Sequence, residues 1–375
     1  MRPTTNLDYL AIAVGWDPSG TTSQTVEVEF NWIDINMSKL NMFPRGGYNN
    51  ASLGNTSIYG GLYARAPLTF GTSGGGVNAS PNATNPLDYA VFIRDGLFLK
   101  DNGAIAEVNK DVATPKVDFY MNKPQSGLSG QSGVGHVYPY CPIINNPVVT
   151  RESYLASAYA QQASGEGTKT FTNLVVGGSG NTVPTSSTAN RGFYINTGAM
   201  PQTLVCSGTV CVTGTVTIHG PISYRGSGVI QATGSISIDH AAGSDKKIPA
   251  FVPDVAGYTM NAGNFWSPLR RGCAIGLIAG DSADPPASIT FDTSNQANPI
   301  YEDMPDWAGA FFATGNMRIL AANCFLKGSM FADTLQSSGN NVDIATDPNL
   351  WSYMPVGMPK VASAAQSTIG LWTRK

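Results

Sequence analysis

Charge is scarce in this sequence. Of 375 residues, 22 are Lys or Arg and 25 are Asp or Glu, together 13%. A soluble domain usually carries about twice that share. The shortage excludes a coiled coil, a histone-like basic protein and a helix-rich cytosolic enzyme. The net charge of −3 gives no global attraction for polyanions, so any nucleic-acid site has to be a local patch. Helical periodicity is nearly missing as well. Its best short candidate is Glu152 to Ala160, long enough for two turns. No apolar run approaches the roughly 20 residues that span a bilayer, and no signal peptide is recognisable. For a surface protein this predicts a chain that begins after a removed segment, with Met1 supplied at expression.

The five cysteines form no CxxC, and the three histidines are scattered. A zinc site is therefore not expected, and no other metal either. No nucleophile elbow, phosphate loop or dinucleotide fingerprint occurs, so neither catalysis nor an organic cofactor is expected. In a surface-like composition the cysteines read as disulfides. Cys206 and Cys211 flank a turn at Ser207-Gly208, Cys273 and Cys324 both adjoin strand-like runs, and Cys141 is left over. The alternative is five buried free thiols.

Glycine is abundant, with 42 residues, and hydrophobic residues make up 42%, enough for a sizeable core. Apolar stretches are short, alternate with Thr or Ser, and stop at Gly, Asn or Pro, which is strand punctuation. Tyr9 to Val14 and Thr25 to Trp32 flank a turn at Asp17-Pro18-Ser19-Gly20. The second run alternates, with Val26, Val28, Phe30 and Trp32 in one phase, so a hairpin with one apolar face is predicted.

An internal repeat is the most informative feature. Val212-Thr213-Gly214-Thr215-Val216-Thr217-Ile218 recurs as Ala232-Thr233-Gly234-Ser235-Ile236-Ser237-Ile238 and as Ala313-Thr314-Gly315-Asn316-Met317-Arg318-Ile319. Ile93 to Leu99 is a looser relative. Strands with a glycine corner every ~20 residues suit a parallel β-solenoid with one coil per repeat. Gly214, Gly234 and Gly315 then sit at corners that need positive φ or close approach. Val216, Ile218, Ile236, Ile238, Met317 and Ile319 point inward, and Thr and Ser face water. An antiparallel sandwich is the competing architecture.

The run Gly208 to His240, the segment Ala310 to Leu335, and the closing Asp347-Pro348-Asn349-Leu350 and Met354 to Pro359 resemble the β-solenoid modules of bacterial type IV minor pilins. The resemblance implies a mainly β fold, a parallel β-solenoid inserted in or attached to a small pilin-like antiparallel sheet. The family's apolar N-terminal helix is missing from the sequence, and it would cover the hairpin's apolar face. The implied domains are a hairpin at 1–40, a Gly/Asn/Ser-rich loop at 41–85, a solenoid at 86–340 with excursions at 124–170 and 241–272, and a closing segment with a final sheet strand at 341–375. The implied place is an extracellular pilus on the cell surface, at or near its tip. Other minor and major pilins are the implied partners, and the membrane enters only through the missing helix. The implied role is capture of extracellular DNA for natural transformation.

Within residues 246–280, Lys246, Lys247, Arg270 and Arg271 stand against one acid, Asp254. Phe251, Tyr258, Phe265 and Trp266 are interleaved. Cations for phosphates with aromatic faces for bases is the chemistry of sequence-tolerant single-strand binding. Arg225 in a nearby repeat extends the patch. Set against this, the aromatics pad the solenoid and the cations are solvated. Two other function classes stay open. A structural or adhesive minor pilin would not touch DNA; Trp266, Trp307 and Trp351 would serve it as sugar platforms. A β-helix carbohydrate-active enzyme would use the carboxylates of Asp281 and Asp284, or of Glu302, Asp303 and Asp306. Both acidic sets lie beside prolines, which favours ordinary turns.

Overall fold

The computed structural model describes residues 7–16, 18–19, 23–35, 40–45, 53, 56–64, 68–70, 76–78, 91–93, 97–99, 104–106, 117–121, 134–138, 146–198, 201–245, 248–254, 273–292, 305–338, 341–347, 350, 353–359 and 364–374. The chain opens with strands β1 (Leu7–Trp16) and β2 (Ser23–Ile35). A first arm follows: β3 (Leu40–Met42), β4 (Thr56–Tyr59), β5 (Gly61–Ala64), β6 (Leu68–Phe70), β7 (Gly76–Asn78), β8 (Val91–Ile93), β9 (Leu97–Leu99), β10 (Ala104–Ala106), β11 (Val117–Met121) and β12 (Val134–Tyr138). Helix α1 (Arg151–Ala163) comes next. A second arm starts with β13 (Thr170–Phe171), β14 (Leu174–Val176) and β15 (Phe193–Asn196). It winds on through β16 (Gln202–Cys206), β17 (Gly208–Val212), β18 (Val216–Gly220), β19 (Ile222–Arg225), β20 (Ser227–Ala232) and β21 (Ile236–His240). It ends with β22 (Phe251–Pro253), β23 (Ala274–Ala279), β24 (Ile289–Phe291), β25 (Trp307–Ile319), β26 (Cys324–Ser337) and β27 (Val342–Thr346), before β28 (Ala364–Arg374) closes the chain.

The second arm is a parallel β-solenoid with three walls. Along the first, β16 stacks on β19 and β19 on β22; along the second, β17, β20 and β23 stack; along the third, β18, β21 and β24. The long strands β25 and β26 each cross all three walls, since β25 pairs with β22, β23 and β24. Parallel pairing in register stacks like positions of each coil. Val216, Ile236, Ile289, Met317 and Leu335 form one inward ladder, every member at most 1% exposed. The six residues expected to point inward are all buried. Thr217, Ser237 and Thr290 alternate with them on the outside. The competing antiparallel sandwich is not the fold of these coils.

At the repeat glycines the cause is proximity, not handedness. Gly214, Gly234 and Gly315 do not have positive φ. A Cβ on Gly214 would sit 2.4 Å from the Thr172 carbonyl oxygen, and one on Gly234 would sit 2.9 Å from that of Gly214. Neighbouring corners touch through their backbones, and the Gly234 amide donates to the Gly214 carbonyl at 2.8 Å.

The first arm continues the same winding. β27 carries β4, β26 carries β3, and β3, β4, β5, β7, β8, β10 and β11 extend the stack outward. β6 and β9 form their own parallel pair. The chain therefore enters the solenoid at its middle, winds to one end, crosses to the other end, and winds back to the middle. The expected loop at 41–85 is corrected: it contributes β3 to β7. The solenoid starts at β3 and runs through β27, and Gly60, with a φ of 103°, turns the chain between β4 and β5. α1 lies against the second wall, where Tyr154 and Ala158 join Cys211 and Val229 in an apolar cluster.

Both chain ends leave at the middle and meet in a separate antiparallel sheet, ordered β1-β2-β28. The solenoid is thus an insertion within that sheet. The predicted hairpin is present, and the predicted last strand is its third member.

Candidate nucleic-acid interface

In the sequence the basic cluster divides between two connections. Lys246 and Lys247 fall between β21 and β22, whereas Arg270 and Arg271 fall between β22 and β23. Lys246, Lys247, Phe265, Trp266, Arg270 and Arg271 lie outside the described residues, as do Tyr258 and Cys141. Arg225 is described. It ends β19 on the first wall, one coil from Asp254, whose amide donates to the Tyr224 carbonyl at 2.6 Å. Its exposed guanidinium is ion-paired with Asp254. The single acid of the cluster therefore neutralises its neighbour in the next coil.

Phe251 does not belong to an exposed aromatic platform. It is fully buried, with its ring centroid 4.7 Å from that of Tyr224. Trp307 is likewise core and lies 5.2 Å from Phe291, so it is no sugar platform. Trp266 and Trp351 lie outside the described residues.

The acidic candidates have structural partners. Asp281 Oδ2 accepts the Arg151 amide at 2.9 Å and its Oδ1 accepts that of Ala283, also at 2.9 Å. Thr150, at the N-cap of α1, makes no side-chain cap, so Asp281 supplies one across 130 residues of sequence. A carboxylate at a helix N-terminus also faces the favourable end of the helix dipole. Asp284 is an exposed turn residue. Asp306 accepts the Phe325 amide at 2.8 Å. Glu302 and Asp303 lie outside the described residues.

The expected disulfides do not form. Cys206, Cys211, Cys273 and Cys324 are free thiols. Cys206 faces the solenoid interior, whereas Cys211 faces outward beneath α1. A wall of the solenoid separates them, and a bridge needs Cβ vectors that converge. Cys211 donates to Gln231 Oε1 at 3.4 Å and Cys324 to the Ala321 carbonyl at 3.6 Å. Burial pushes the Cys206 thiol up to about 12, against the opposing charge of Lys169.

Two polar arrangements escaped the sequence reading. His219 Nδ1 lies 2.5 Å from Asp239 Oδ1 on the outer third wall. The two residues are 20 apart and in phase with the repeat, so the period itself marks them as neighbours; Thr203 and Ser223 pair by the same rule at 3.0 Å. The second arrangement lies where the arms join. Lys327 and Asp347 are 1% and 0% exposed, with Nζ 3.9 Å from Oδ2. Burial lowers the lysine to about 8, more than the aspartate raises it. Close by in the stack, burial raises Asp343 to about 6. Tyr59 is raised to about 12 by burial and then by Asp343. Their positions follow from the stacking of β26, β27 and β4, which no local pattern announces.

In class, then, the chain is a parallel β-solenoid inserted into an antiparallel sheet. No protein-family profile matches it, and no curated protein does. Among solved structures it is similar to the competence-associated pilin ComZ from Thermus thermophilus, with a TM-score of 0.45 and 11% identity over 99% of this chain and 88% of that one.

Proposed function

We propose that this chain is a minor pilin of a type IV pilus, displayed at the cell surface at or near the filament tip, and that it captures extracellular DNA for natural transformation. The topology carries the pilin reading. A solenoid from β3 to β27 is inserted into a sheet built from both chain ends, the arrangement that the sequence resemblance implies. The sheet is the part that joins other pilins, and the solenoid is the part presented outward. This role assigns no catalytic step and no cofactor.

The DNA-binding part rests on Lys246, Lys247, Arg270 and Arg271, with Phe265 and Trp266 available to stack on bases. Among the described residues Arg45, Lys169, Arg225 and Lys327 are already paired with carboxylates, whereas Arg151 and Arg318 donate to neutral groups, Thr213 and Gln336. Affinity of this kind is local and falls steeply with salt. In a salt-titrated gel-shift assay, changing the four cations together to Ala abolishes the shift at moderate salt. Unchanged binding by that variant sinks the patch, and a wild type that never shifts DNA sinks the receptor role.

A purely adhesive or structural minor pilin is the second reading. The Arg225–Asp254 ion pair and the hydroxyl-rich third wall favour it. Wild-type protein that joins pilin assemblies yet never shifts DNA selects it.

A further inference from the structure

The second arm ends at β27, and Asp347 is the residue that follows it. Its amide donates to the Gly328 carbonyl at 3.2 Å, and its own carbonyl accepts the Leu350 amide at 3.2 Å. Lys327 sits opposite Ala345 in the adjoining coil. Its side chain and that of Asp347 share the outer face of the first wall, both sealed from water. The surroundings disfavour charge throughout. Burial moves Lys327, Asp343, Tyr59 and Cys324 each toward its neutral form. A site that disfavours charge lowers the cost of passing the Lys327 proton to Asp347, which leaves an amine beside a carboxylic acid. A neutral amine held against a neutral carboxyl group, with bulk water kept out, is a reactive pair with high effective concentration.

We propose that Lys327 and Asp347 are joined by an intramolecular isopeptide bond formed within the folded chain. The Nζ lone pair attacks Cγ of Asp347, and a new N–C bond forms. The C–OH bond of the carboxyl group breaks, and its hydroxyl leaves with one amine proton as water. The other amine proton stays on the amide nitrogen. No oxidant, reductant or cofactor takes part. The product is a neutral amide in a site that penalises both charges. It fastens the last strand of the second arm to the coil beneath it, at the point where the chain leaves for the sheet.

Intact mass spectrometry of the purified, folded wild-type chain tests this directly. The expected mass is lower than the sequence mass by one water. A tryptic map shows no cleavage after Lys327 and leaves Ile319 to Lys360 as one internally crosslinked peptide, lighter than its sequence by one water. Lys327→Arg and Asp347→Ala each restore the full variant mass. If these variants do not fold, the wild-type mass and the crosslinked peptide decide alone. A folded wild type at its full sequence mass overturns the proposal. So does a water loss that maps elsewhere, such as to a succinimide at Asp95-Gly96.

Discussion

The third wall at β18 and β21 and the junction of the two arms bury side chains by opposite rules. On that wall the inward positions are Val and Ile, and the outward ones are Thr, Ser, His and Asp. At the junction, buried polar groups gather. Asn41 is fully buried with no hydrogen-bond partner for its side-chain amide. Thr56 donates to the Leu53 carbonyl at 2.5 Å, and its oxygen accepts from the Ser337 hydroxyl at 2.8 Å. Lys327 and Asp347 lie a coil away. Stacked apolar ladders tolerate a shift by one coil, since each rung looks like the next. A buried polar group does not, because it costs free energy wherever its partner is missing. The coils thus supply stability, and the junction supplies register.

The largest expected effect comes from breaking the junction's buried pair. Lys327→Ala leaves the Asp347 carboxyl group buried without its partner and destabilises the fold by about 3–5 kcal/mol. Replacing both, as Lys327→Met with Asp347→Leu, removes the unpaired polar group and recovers part of that loss. Urea melts of the two variants check this; equal losses would refute the pairing argument.

Next comes pH. Asp343 has a folded pKa near 6 against an unfolded value near 4. Its contribution is fully present below the unfolded value and is lost as pH rises through the folded one. Stability falls by up to about 3 kcal/mol between pH 4 and 7. Asp343→Asn flattens that part of the profile in denaturant titrations at several pH values.

The regular coils predict smaller responses. Gly234→Ala forces a Cβ to within 2.9 Å of the Gly214 carbonyl and costs about 1–2 kcal/mol by overpacking. Thermal melts should show a modest drop; no drop would mean that the corners are slack. Thr217→Val, on the outer third wall, changes stability by less than about 0.5 kcal/mol.

The same contrast explains what was legible in the sequence. The V-T-G-x-V repeat identified the second arm, its inward ladder and its glycine corners because one coil is a local unit of ~20 residues. The intervening copy at Ala287-Ser288-Ile289-Thr290-Phe291 escapes the pattern, since it has Ala287 where the others have glycine and Pro286 where they have threonine. Its strand nevertheless stacks between β21 and β25. Residues 41–85 of the first arm read as loop because their described strands are only three or four residues long, too short for alternation to register. The junction left no local trace at all. It forms between residues far apart in the chain, and its buried lysine looks like any surface lysine in a string of letters. Of the interface, the pairing of Arg225 with Asp254 was not legible, because it links positions 29 residues apart on adjoining coils.

Entry at the middle has a consequence for synthesis. Arg45 binds Asp333, 288 residues further along the chain, at 3.1 Å. The first arm leaves the ribosome with the coil beneath it not yet made. Its short strands then present open edges until β26 and β27 arrive, and exposed edges are where chains pair wrongly. The second arm, by contrast, can grow coil upon coil as it emerges. This protein must therefore keep its earliest part waiting for its latest, and a holding factor for the nascent first arm would raise the yield of correctly wound chains.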